Sequence, residues 1–233
     1  TKIGFENIPL NDTEVLSIFS SSEALGFVDE IIGPTGTTAI PTFEEKHIRQ
    51  LLFNNPPSTF DELIKVLGLY YGPGAWEKNG QRLVESDKIK FKECITSRDD
   101  VMDRLITKGF SRAESYAISK SVYMGKGLTA ETKKQMSEAG IPDWYIECCS
   151  KIKYLFPRAH LTVYMLMYYR LAWFKVKFPI NFYCAIFSFC DSDYYNGNKS
   201  KSDIISEIEM LRNKKDAYDF SRKLSVLEAY YEM

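Results

Sequence analysis

The sequence predicts an all-α fold. Apolar residues recur at helical spacing in short runs, and most of these runs open on Ser, Thr, Asp or Asn and close on Gly or Pro. No stretch alternates for long with the period of two that a half-buried strand requires. A chain of 233 residues, 45% hydrophobic and 26% charged, can bury a substantial core as one large or two small domains. We therefore expect many short capped helices, one long buried helix and a loop-rich N-terminal segment.

Residues 1–41 are punctuated by Pro9, Gly26, Gly33, Pro34, Gly36 and Pro41, and read as a connector carrying one helix, Thr13 to Phe19, capped by Asn11 or Asp12. Residues 42–190 read as the helical core. Phe43, Ile48, Leu51 and Leu52 stand near helical spacing before the turn Asn54-Asn55-Pro56-Pro57. Ser58 or Thr59 then caps a helix expected to stop at Gly68. A glycine-rich polar loop, Gly72 to Gly80, leads to a helix near Gln81 and a further turn at Phe91 to Ile95. Ser97 with Asp100 is a capping-box analogue at the head of Val101 to Thr107. Ser111 caps Arg112 to Tyr123, Thr129 caps Ala130 to Ala139, and Asp143 opens a helix to Lys153. Leu161 to Phe174 is apolar, but Arg170 interrupts it and it falls short of the roughly 20 residues of a membrane span, so it reads as a buried core helix. Residues 191–233 are highly charged, and Asp203 to Glu232 reads as one or two exposed amphipathic helices.

Thirty basic and thirty-one acidic residues nearly cancel, so any nucleic-acid contact must come from local segregation of charge. Five cysteines with no CxxC pair favour reduced thiols in the cytoplasm, and two histidines leave little material for a His-rich metal site or a Ser-His-Asp triad. Thr1 to Leu10 shows no secretory pattern. Charge is segregated in one place: from Cys148 through Cys190 there is no Asp or Glu, while Lys151, Lys153, Arg158, Arg170, Lys175 and Lys177 lie there among many aromatic residues.

Within that stretch, Lys151, Lys153, Arg158 and His160 cluster at the head of the long apolar helix. A helix N-terminus with fixed positive charge nearby suits a phosphate chain, although solvated lysines and a packing histidine explain the same residues. Asp99-Asp100 invites a magnesium reading, but adjacent side chains on a helix diverge and acids are favoured at a helix start in any case. Gly125-Lys126-Gly127 lacks the frame of a phosphate-binding P-loop and reads by itself as a helix stop.

The run Phe156-Pro157-Arg158-Ala159-His160-x-x-x-Tyr164, followed by Leu171-Ala172-Trp173-Phe174-Lys175, resembles the fingers signature of the family C replicative DNA polymerases. Ile8-Pro9-Leu10-Asn11-Asp12, Glu23-Ala24-Leu25-Gly26, Arg98-Asp99-Asp100-Val101-Met102, Gly125-Lys126-Gly127-Leu128-Thr129 and Pro142-x-Trp144-Tyr145-Ile146 stand in the order seen in the PolC-type DNA polymerase III alpha subunits of low-GC Gram-positive bacteria. The likeness covers nearly the whole chain. The chain departs from the family's pattern at Leu161-Thr162-Val163, Tyr70-Tyr71-Gly72 and Tyr123-Met124.

The resemblance implies a polymerase fingers region: 1–41 a palm-to-fingers connector, 42–190 the fingers core and 191–233 its C-terminal helices. It implies contact with an incoming dNTP through Arg98, Lys126, Lys151, Lys153, Arg158 and His160, with Phe156 and Tyr164 near the base, and with the templating end of primer-template DNA. No catalytic or metal-binding residue is expected in this chain. The aspartates that hold Mg2+ belong to the palm, so the chain alone is expected to be inactive in nucleotide incorporation. Expected partners are the palm and other domains of the same polypeptide and the replisome subunits, in the cytoplasm and with no membrane. The alternative reading is a free-standing helical nucleic-acid-binding or assembly module, supported by the basic and aromatic stretch alone. An independent small enzyme lacks a nucleophile and base to support it.

Overall fold

The computed structural model describes residues 3–189, 199–212 and 217–232. Cys190 and residues 191–198 of the charged C-terminal stretch lie outside the described residues. Every regular element among the described residues is helical, which bears out the all-α expectation. Contacts divide the chain into two compact units, Thr1–Phe60 with Leu166–Met233, and Asp61–Met165.

The first unit contains α1 (Thr13–Ser17), α2 (Lys46–Asn54), the second half of the long helix α9 (Arg158–Lys177), α10 (Pro179–Phe189), α11 (Lys201–Arg212) and α12 (Ala217–Glu232). The Asp12 carboxylate caps α1 by accepting from the N–H groups of Glu14 and Val15 at 3.1 and 3.2 Å. Val15, Ile18, Phe19, Ile40, Phe43, Ile48 and Leu52 are fully buried. The Phe43 ring meets Phe19 and Tyr168 edge-on at 5.1 and 5.6 Å, a favoured aromatic geometry.

The glycine- and threonine-rich loop that breaks helical periodicity near residue 36 is buried because it solvates two charged side chains. Arg49 donates to the Thr35 hydroxyl (2.8 Å) and to the carbonyls of Ile32 (2.6 Å) and Thr35 (2.9 Å). Lys175 donates to the carbonyls of Gly36 (2.8 Å) and Thr38 (2.7 Å) and to Glu228 Oε2 (2.6 Å), with neither charged side chain exposed. Tyr183 also donates to Glu228 Oε2 at 2.7 Å, as does the Thr38 hydroxyl. Burial pushes the Glu228 carboxyl upward, with Lys175 and Tyr183 pulling the other way.

Three expectations need correction. Lys175 is not part of a basic surface; it is a core residue. The C-terminal helices are not simply exposed: α12 buries Leu224, Val226, Leu227 and Ala229, and Ala229 joins Ala39, Phe182 and Tyr183 in one apolar cluster. The long helix is buried along one face only. Leu161, Met165, Tyr168, Tyr169 and Ala172 are inside, whereas Val163, Tyr164 and Met167 are exposed. Uniform apolarity concealed that amphipathic division.

The second unit contains α3 (Phe60–Tyr71, from Asp61 on), α4 (Gln81–Glu85), α5 (Arg98–Thr107), α6 (Arg112–Tyr123), α7 (Ala130–Glu138), α8 (Asp143–Lys151) and the start of α9. Its caps follow the sequence. Ser97 and Asp100 exchange hydrogen bonds at 3.2 and 2.9 Å, Ser111 and Glu114 do so at 3.3 and 3.0 Å, and Thr129 accepts from the Thr132 N–H at 3.1 Å. Gly68, expected to stop α3, lies inside it. A Cβ at that position would stand 2.3 Å from the Thr96 carbonyl oxygen, so glycine serves close backbone approach there and not termination.

Candidate functional site

Between the end of α8 and the start of α9, residues 152–157 form a non-helical segment that carries Lys153, with Lys151 just before it and Arg158 just after it. Its apolar residues anchor it: Ile152 and Leu155 are buried, and Lys151, Lys153 and Tyr154 project to solvent. Two turns grip its backbone from within the second unit. The Lys153 N–H donates to the Pro73 carbonyl at 2.9 Å, and the Leu155 N–H donates to the Tyr123 carbonyl at 3.3 Å. A Cβ on Gly74 would lie 2.5 Å from the Lys151 carbonyl oxygen, and one on Gly125 would lie 2.5 Å from that of Lys153. Both glycines have left-handed backbone, φ +81° and +70°, so only glycine fits without strain. The Gly125-Lys126-Gly127 turn therefore does more than end α6. It packs the backbone of Gly125, the neighbour of the exposed Lys126, against the backbone of Lys153.

A ring stack continues from this segment onto α9. Phe156 and His160 lie nearly parallel with centroids 5.3 Å apart, and His160 meets Tyr164 at 4.8 Å. Tyr154 approaches Phe156 edge-on at 4.9 Å and Tyr71 reaches it at 5.8 Å. His160 and Tyr164 are exposed, so the stack presents faces and edges to solvent.

The first turn of α5 is fastened to the start of α9. The Arg98 N–H donates to the Phe156 carbonyl at 3.1 Å, and the Arg98 guanidinium lies over the Tyr123 ring at 5.7 Å. The Asp99 carboxylate accepts from the Arg158 N–H at 2.7 Å, while Asp100 Oδ1 accepts from the Arg158 guanidinium. Asp100 Oδ2 also accepts from the Thr96 N–H (2.8 Å), the Thr96 hydroxyl (2.7 Å) and the Ser97 N–H (2.9 Å). Burial works against the charged form of Asp100, but Lys65, Thr96 and Arg158 outweigh it and hold the carboxyl below its usual range. Desolvation works against charged Arg158, and Asp100 more than offsets it, raising the guanidinium further.

The structure thus brings Arg98, Lys126, Lys153, Phe156, Arg158, His160 and Tyr164 into one connected region. Lys151 differs: it pairs with Glu147 at 4.0 Å, both side chains being more than half exposed, and lines a shallow open cleft of about 490 Å³ with Lys133, Lys134, Ser137 and Ser150. Such a pair contributes little. Sequence reasoning missed the role of Asp99 and Asp100 as partners of Arg158, because no periodicity links residues 58 or 59 positions apart. It also missed that two of the three departures from the family pattern border this region through Tyr71 against Phe156 and Tyr123 against Arg98. Both oxygens of Asp100 are taken up by Arg158, Thr96 and Ser97, and Asp99 Oδ2 accepts from the Arg158 N–H. Among the described residues no group of three His, Cys, Asp or Glu side chains could hold a metal ion.

The second unit thus fixes a basic segment beside an exposed ring stack. The family model described as the bacterial DNA polymerase III alpha subunit finger domain matches residues 1–142, and the chain belongs to that family. It is 39% identical over its whole length to a protein named DNA polymerase III PolC-type from Caldanaerobacter subterraneus subsp. tengcongensis, of which it covers 17%. A Staphylococcus aureus (strain MW2) protein of the same name is 39% identical over 98% of the chain, and a Bacillus subtilis (strain 168) one is 41% identical over 81%. The chain spans between 13% and 17% of the length of these relatives. No helix of the described residues is long and apolar enough to cross a membrane.

Proposed function

We propose that this chain is the fingers of a PolC-type replicative DNA polymerase, and that the region around Lys153 binds the triphosphate of the incoming dNTP beside the templating end of primer-template DNA. The observation that carries the reading is the clasped segment itself: in a chain of the finger family, two glycine turns set the Lys153 backbone, and the exposed Lys126 follows directly on one of them. Cations held on a rigid backbone lose little entropy on meeting a phosphate chain. Arg98, Lys126, Lys153 and His160 form the proposed triphosphate set, and Phe156 and Tyr164 shape the base side by stacking.

Phosphoryl transfer divides into charge neutralisation by metal ions and positioning by cations, so fingers can supply the second without the first. Within this reading the Mg2+ ions are held by palm carboxylates elsewhere in the polypeptide, and the enzyme works with its other domains and with replisome subunits in the bacterial cytoplasm. The chain alone is proposed to be inactive in primer extension.

The test is steady-state dNTP kinetics on a primed template with the full-length polymerase carrying Lys153→Ala or Lys126→Ala. A charge-assisted contact is worth about 1.5 to 3 kcal/mol, so Lys153→Ala is expected to lower kcat/KM for dNTP by roughly ten- to a hundred-fold. Primer-template affinity should change less. Unchanged nucleotide kinetics in both folded variants would remove this segment from the triphosphate site.

A further inference from the structure

Three consecutive residues of α5 hold three consecutive features at the start of α9. The Arg98 N–H takes the Phe156 carbonyl, the Asp99 carboxylate takes the Arg158 N–H, and the Asp100 carboxylate takes the Arg158 guanidinium. Two consequences follow for the head of α9. An acceptor already occupies the first N–H of the helix, one of the groups that a phosphate at this terminus would seek. The Arg158 guanidinium is committed as well, because its partner is anchored by three further donors from Thr96 and Ser97.

The energetic asymmetry favours keeping Arg158 where it is. The Asp100 side chain is only 12% exposed, whereas that of Arg158 is 44% exposed. Drawing the guanidinium away toward a phosphate would leave a largely buried carboxylate without its arginine, and an unpaired buried charge is costly. Lys153 and Lys126, by contrast, are exposed. The fastening also governs the rings: Phe156 lies two residues before Arg158, and His160 and Tyr164 lie on the first two turns of the helix that Asp99 caps.

We propose that Asp99 and Asp100 are positioning residues for nucleotide use, holding Arg158 by its N–H and its guanidinium so that the start of α9 presents His160 and Tyr164 in fixed register with Lys153. Arg158 then acts through this fastening and not as a phosphate ligand. The proposal rests on the fingers reading above, and the two make separable demands.

The opposing roles of Arg158 predict opposite signs for one substitution. If Asp100 merely sequesters a phosphate-binding arginine, Asp100→Asn frees it and the KM for dNTP falls. If Asp100 positions α9, Asp100→Asn weakens the hold on Arg158 and KM rises. In the full-length polymerase we expect Asp100→Asn to raise KM for dNTP about tenfold, with primer-template affinity unchanged. The double variant Asp100→Asn/Arg158→Ala should be no worse than Arg158→Ala alone, since both break one fastening. Asp99→Asn, which keeps an acceptor oxygen for the Arg158 N–H, should shift KM in the same direction by less. It carries the test if Asp100→Asn lowers the melting temperature into the assay range. A fall in KM for Asp100→Asn, or full additivity in the double variant, overturns the proposal. If Lys153→Ala lowers kcat/KM while neither aspartate variant changes KM, positioning fails and the triphosphate reading stands; if Lys153→Ala and Lys126→Ala also leave nucleotide kinetics unchanged, the triphosphate reading of this segment is removed as well.

Discussion

Gly74 and Gly125 show how much of the site depends on the absence of a side chain. Each sits at left-handed φ, and each would drive a Cβ to 2.5 Å from a backbone carbonyl of the basic segment. Backbone cannot step aside as a flexible side chain can. Gly109 is a natural control, because it has φ +91° but nothing within 4 Å of its ideal Cβ. Gly109→Ala should cost only the conformational strain, on the order of 1 kcal/mol. Gly125→Ala and Gly74→Ala add overpacking, and each should cost about 2 to 4 kcal/mol in total. Denaturant melts of the three variants check the ranking. Equal losses would mean that the close approach is not what selects glycine. The motif Gly125-Lys126-Gly127 was visible in the sequence, yet the residue it approaches lies far along the chain and could not be read from it.

At the scale of the helix, α5 combines a local cap with a long-range one. Ser97 and Asp100 close the capping box that the sequence predicts, and the same Asp100 carboxylate reaches Arg158. This makes α5 a source of pH dependence. Asp100 has its carboxyl held below the ordinary value, so it contributes stability that is fully present above the unfolded-state value of about 3.9. That contribution is lost as pH falls from about 4 through the lower folded value. Asp100→Asn should therefore reduce stability at pH 7 and flatten the acid limb, so that variant and parent converge once pH has fallen below the lowered folded value. Urea melts at several pH values measure this. A constant stability difference from neutral to acid pH would show that the carboxylate's charge is not involved.

At the scale of the molecule, the first unit is organised around a buried ion pair that no composition argument anticipates. Lys175 and Glu228 come from sequence positions 53 apart, and the loop carbonyls of Gly36 and Thr38 complete the lysine's shell. Breaking one side leaves a fully buried charge, so Glu228→Ala should destabilise the chain by about 3 to 5 kcal/mol. Replacing both partners together, as Lys175→Met/Glu228→Leu, should recover much of that loss because neither charge then needs solvation. Thermal melts of the single and double variants decide the matter. A double variant as unstable as the single would place the importance in the tyrosine and threonine hydrogen bonds instead.

Helix type, most helix starts and the basic, acid-free stretch were determined by the sequence alone, because caps, apolar spacing and charge segregation act over a few residues. The box at Ser111 with Glu114 and the cap at Thr129 are as local as the residues that make them. The tertiary structure decided which basic residues share a region and which are core. Lys153 and Lys175 look alike in the sequence, but Lys153 is exposed while Lys175 is sealed among carbonyls and a carboxylate. It decided as well that Gly68 continues a helix and that Asp99 and Asp100 both bond Arg158. Each of these outcomes depends on a partner dozens of residues away, and the physics of close approach and buried charge acts only once the fold has brought the partners together.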